Sequence, residues 1–170
     1  MASVRTGSRL SGIIIVLAFA AFAAYVVQST GQFSSDKNTH PPHEVGDLQL
    51  ASELNGQEAL AKIFEFSGIQ FGARQGRVLV YRGAGSEAVV RYAAVAHRRT
   101  ARILQDLVDS AEEIEGFSDP QPVPAGNGFI YVSRGKTETR YLYSKENRVY
   151  LVSVSSADDG SIFMRLFDSV

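Results

Sequence analysis

Three β-patterned runs near the C-terminus, residues 129–133, 137–143 and 149–155, are separated only by Arg134-Gly135-Lys136 and by residues 144–148. Spacers this short leave no room for a crossover, so successive runs must pair antiparallel as a three-stranded meander. In the middle run Thr137, Thr139, Tyr141 and Tyr143 share one face, with Glu138, Arg140 and Leu142 on the other; in the last run Tyr150, Val152 and Val154 alternate with Val149, Leu151 and Ser153. A half-apolar sheet must bury that face against a second layer. The expected fold class is therefore α+β, with an antiparallel meander packed against a long amphipathic helix.

The helix is read from the stretch before the meander. Val89, Ala93, Ala96, Thr100, Ile103, Leu104, Leu107, Ala111 and Ile114 stay within about 60° of one line on a helical wheel, while Glu87, Arg91, Arg98, Arg102, Gln105, Asp106 and Asp109 gather opposite. This phase predicts one helix over residues 87–115, roughly 43 Å long, capped by Ser86, ended by Gly116 and carrying Arg102 and Asp106 as an i,i+4 pair. A competing reading makes residues 88–95 a second hairpin strand on the strength of Val89, Val90 and Val95, and starts the helix at Thr100. Phase kept over some seven turns favours the single helix.

Other elements follow from shorter signals. Asn55 and Glu58 are spaced as a capping box for a short helix presenting Leu60, Ile63 and Phe64, which Gly68 can stop. Residues 77–82 are rich in β-formers and close on Gly83-Ala84-Gly85, which predicts a strand. Residues 118–128 contain Pro120, Pro122 and Pro124 and read as a loop. Residues 161–167 fit a short helix showing Ile162, Phe163, Leu166 and Phe167 equally well as a strand returning across Asp159-Gly160.

At the other end, residues 10–27 hold no charge and no proline. As a helix they would span about 27 Å, enough for a bilayer core. Arg5 and Arg9 precede the run and the next basic residue is Lys37, so the positive-inside rule keeps the N-terminus cytoplasmic. The expected organisation is a cytoplasmic N-terminus at 1–9, a transmembrane helix or uncleaved signal anchor at 10–27, a flexible tether at 28–54 and an extracytoplasmic α+β domain at 55–170. A cleaved signal peptide is the rival, but the run is longer than an ordinary h-region. The expected localisation is the cell membrane, single-pass, with the lipid bilayer as partner through residues 10–27. In outline the plan is similar to that of minor pilin-like proteins, but no Glu stands early in the apolar run, and no family's functional residues are carried over.

Composition narrows the function classes. The chain's 10 Phe and 7 Tyr among 170 residues supply core material that disordered chains lack. Beyond residue 27 lie 15 of the 17 basic residues against all 18 acidic ones, a net charge of −3 that argues against a nucleic-acid partner. The absence of cysteine excludes disulfides, thiolate catalysis and Cys-ligated metal sites.

No motif assigns a reaction. His40, His43 and Glu44 supply metal-ligand chemistry, but Pro41-Pro42 fixes an extended backbone, and they read as incidental to a polar linker. His97 has no Gly-x-Ser-x-Gly elbow or Ser-x-x-Lys to work with. Gly83-Ala84-Gly85 lacks the third glycine of a dinucleotide loop and the Lys-Ser/Thr of a phosphate loop. No catalytic residue, cofactor or metal is assigned, and an enzyme is disfavoured without being excluded. His97, Arg98, Arg99 and Arg102 lie on the first half of the long helix; Asp106, Asp109, Glu112, Glu113 and Glu115 lie on the second. That segregation suggests a contact surface, and the expected function is a membrane-anchored, non-enzymatic accessory or protein-interaction domain whose partner is another membrane or extracytoplasmic protein. The alternative is a small exported ligand-binding domain or hydrolase using His97 or a carboxylate beside the meander tyrosines.

Overall fold

The computed structural model describes residues 40–83, 85–126, 128–155 and 160–169. One compact unit runs from His40 to the C-terminus. Its strands are β1 (Glu44–Val45), β2 (Leu48–Asn55), β3 (Gln75–Gly83), β4 (Ser86–Ala94), β5 (Gln121–Ala125), β6 (Gly128–Arg134), β7 (Glu138–Lys145) and β8 (Arg148–Ser155). The helices are α1 (Gly56–Ser67), α2 (His97–Glu112) and α3 (Ser161–Ser169). All eight strands form one antiparallel sheet in the order β1-β2-β3-β4-β8-β7-β6-β5. Two four-stranded meanders thus meet at the β4–β8 seam.

That seam corrects the single-helix reading of residues 87–115. Residues 88–94 pair with β3 on one side and with β8 on the other, Val90 lying opposite both Leu79 and Val152. Ala88, Val90 and Tyr92 enter the core on one face of the sheet, Ala93 on the other. A central strand buried on both faces looks apolar at every period, so alanines and valines here also satisfy a helical wheel. β-Branched Val89 and Val90, together with two waiting partner strands, decide for the strand. The helix proper is α2, 16 residues long.

Two further stretches change class. Residues 44–45 and 48–54, read as part of a tether, belong to β1 and β2, the latter ending at Asn55. Residues 121–125, read as loop, form the edge strand β5, with Pro122 opposite Tyr131 and Pro124 opposite Phe129. Proline is tolerated there because an edge strand has a neighbour on one side only. The expected transmembrane helix at 10–27 lies outside the described residues, and among these no helix is long and apolar enough to cross a membrane. The architecture is accordingly corrected to an antiparallel sheet with helices on both faces, α3 closing the described chain, with no membrane-spanning element in it.

Each face of the sheet carries its own core. α1 and α2 cover one: Ala59, Ile63, Ile103, Leu107, Val108 and Ala111 pack with Val78, Leu142, Val149 and Leu151. α3 covers the other, placing Phe163 and Leu166 on Tyr141, Tyr143, Tyr150 and Val152. The capping box expected at α1 is absent, because Asn55 donates to Glu53 and accepts from Arg77 instead. Gly68 does end the helix, at φ 69°, its N–H donating to the Phe64 carbonyl. The buried face of α1 is Ala59 and Ile63; Phe64 points away from it and stays 45% exposed.

Candidate anion-binding site

Moving the helix start from Glu87 to His97 changes the meaning of the arginine cluster. His97, Arg98 and Arg99 now occupy the first turn of α2, with Arg102 one turn on, and no acidic residue stands in that turn. Ala96 occupies the N-cap and offers no side-chain acceptor, and the Arg99 N–H donates to the Ala96 carbonyl at 2.8 Å. A helix N-terminus is the positive end of the macrodipole, where each added cation costs about 0.3–1 kcal/mol in place of the gain an acid would bring. Charges and dipole therefore add, and both are relieved by an anion.

The arginines line a depression rather than a flat surface. Arg98, Arg99, Arg102, Ile103 and Asp106 from α2 face Gln70 from the loop after α1, around about 420 Å³. None of the three guanidiniums makes a hydrogen bond or ion pair with a described residue, and the expected Arg102–Asp106 pair is not formed. Arg99 lies across Gly72, where an added Cβ would sit 2.5 Å from its Nη1. With φ at +56°, Gly72 holds a backbone conformation that favours glycine, and its missing side chain lets the guanidinium lie flat on the loop. Three cations and one carboxylate leave the rim with a formal charge of +2.

A second arginine cluster lies under the helices and serves packing. Arg91 donates from Nη1 to Ser153 Oγ at 3.2 Å and sits 3.8 Å over the Phe66 ring. Arg140 pairs with Glu138 at 2.8 Å and lies 3.9 Å from the Phe117 ring centroid. Burial pushes the Arg91 pKa down to about 10, against the pull of Glu138. The adjoining cavity measures about 30 Å³, the share of one water molecule. It has no room for a ligand.

The remaining sequence candidates separate. His40, His43 and Glu44 are exposed, and no group of three potential metal ligands forms among the described residues. His97 is exposed at the start of α2 and does not line the depression. Gly83 ends β3 and Gly85 lies in the turn to β4, so no helix follows for a phosphate loop to open. Tyr141, Tyr143 and Tyr150 of the meander lie in the core beneath α3, and Tyr131 packs half-buried on the other face. Among the Tyr81, Tyr92, Tyr143 and Tyr150 phenols, burial raises every pKa, Tyr81 to about 12; for Tyr150 the nearby Arg148 pulls the other way. The Tyr150 hydroxyl makes no well-formed hydrogen bond. The contribution of Gln70 was missed by sequence reasoning, since nothing local ties residue 70 to residue 99.

No family model and no curated protein matches this chain. Among solved structures it is similar to the extracellular domain of PknH from Mycobacterium tuberculosis, with 12% sequence identity and a TM-score of 0.48 over 85% of this chain and 89% of that one. A likeness of that size assigns no function.

Proposed function

We propose that the domain is a binding module for an oxyanion-bearing ligand, held at the N-terminus of α2. The observation that carries this reading is the convergence of Arg98, Arg99 and Arg102, none paired with a described residue, around one depression with Gln70. A guanidinium presents a planar fork of donors that matches phosphate, sulfate or carboxylate bidentately. A depression of about 420 Å³ is within the size range of small-ligand sites.

This reading replaces the membrane-anchored accessory domain. The single-pass placement and the bilayer partner rested on residues 10–27, outside the described fold, and the long charge-segregated helix proves to be a strand followed by a shorter helix. The ligand-binding alternative stands closer to the geometry, although neither His97 nor the meander tyrosines form its site.

Calorimetric titration with pyrophosphate tests the proposal. Saturable binding is expected at low salt, weakened about 10-fold or more by combining Arg98→Gln with Arg102→Gln, and weakened again at 0.5 M salt, where the Debye length falls to about 4 Å. Both side chains are exposed, so the melting temperature without ligand should stay put. Equal affinity in the double variant would refute the site.

A further inference from the structure

Resting on that reading, we infer that the ligand is amphiphilic: a phosphate-type head on the arginines, with a single apolar chain lying along the outer face of α1. A second depression of about 400 Å³ lies between α1 and the loop after it, where Leu60, Phe64 and Ile69 form an apolar strip flanked by the polar side chains of Gln57 and Gln70. Phe64 stays 45% exposed there, one of four large apolar side chains left so in the described fold. Gln70 lines both depressions. Gly72 lines the apolar one while carrying the Arg99 guanidinium on its bare Cα. The cationic and apolar surfaces therefore meet along Gln70 and Gly72, which is the distribution a molecule with an anionic head and an apolar tail requires. Neither surface alone selects that class: the arginines would take any oxyanion and the trough any small apolar body.

The experiment compares inorganic phosphate, octyl phosphate below its micelle concentration and uncharged octyl glucoside, titrated into the full chain. Each buried methylene strengthens binding by roughly fourfold, so partial burial of the chain should make octyl phosphate bind at least about 10-fold more tightly than inorganic phosphate. Octyl glucoside should show no saturable binding. Phe64→Ser should bring octyl phosphate to within about threefold of inorganic phosphate and leave inorganic phosphate unchanged. Ala61→Gln, neutral and at an exposed helical position, should do the same if the serine variant folds poorly. Equal affinity for the two phosphates would overturn this inference and leave the oxyanion site standing, whereas no binding of either would overturn both. Adsorption to phosphatidic acid vesicles without binding of octyl phosphate would assign the surface to a membrane and also overturn it.

Discussion

Replacing Phe163 by alanine is expected to cost about 3–5 kcal/mol of folding stability, the range for truncating a buried aromatic side chain. Phe163 is 3% exposed and stacks on Tyr141 with ring centroids 3.8 Å apart and planes 4° apart. It also meets Tyr143 edge-on at 5.8 Å and Phe167 at 5.9 Å. Removing it empties the centre of the contact between α3 and the sheet, and the neighbouring rings are too rigid to fill the space. Met164, next in the chain and 51% exposed, is the control: Met164→Ala should stay within about 0.5 kcal/mol. Denaturant titrations of the two variants measure the difference. Equal costs would mean that α3 does not seal this face.

Stability should also fall steeply above pH 10. The phenols of Tyr81, Tyr92, Tyr143 and Tyr150 have pKa values raised by burial, Tyr81 to about 12, while in the unfolded chain they ionise near 10. Between those values the unfolded state has lost protons that the folded state still holds, so stability decreases as pH rises; it is intact below pH 10. Each such tyrosine contributes up to about 1.4 kcal/mol per pH unit. Arg91 acts in the opposite sense, because its folded pKa is lowered, but it is one group against four. A loss of several kcal/mol between pH 10 and 12 is a large share of the 5–15 kcal/mol typical of a domain. Tyr150→Phe should make that slope shallower. An unchanged slope in this variant would contradict the assignment.

What the sequence discloses of this fold depends on how many periods a segment satisfies. The runs that became β6, β7 and β8 alternate cleanly and are joined by spacers that permit one pairing, so they are legible. Residues 88–95 satisfy a wheel and a strand alike because both faces of β4 are buried, and only the presence of β3 and β8 beside it decides. β5 hides behind Pro122 and Pro124, which argue against a strand unless one knows it lies at an edge. β2 alternates weakly and reads as linker. The candidate site suffered from the same ambiguity: with the helix begun at Glu87, the arginines fell in its middle and suggested a contact surface. Begun at His97, they crowd an uncapped, positive end. The local signal for that shift was the β-branched content of Val89, Val90 and Val95. Gln70, Gly72 and the apolar trough beside them come from a loop 25 or more residues away in sequence, and no local pattern links the two.

A pyrophosphate titration at low salt, followed on backbone amide resonances, should locate the bound oxyanion on the arginine face of α2. Saturating shifts should concentrate on Arg98, Arg99 and Arg102, on Gln70 across the depression, and on Gly72 beneath the Arg99 guanidinium. Shifts spread over basic side chains elsewhere, such as Lys136 and Arg134, or no saturable shift at all, would contradict the account.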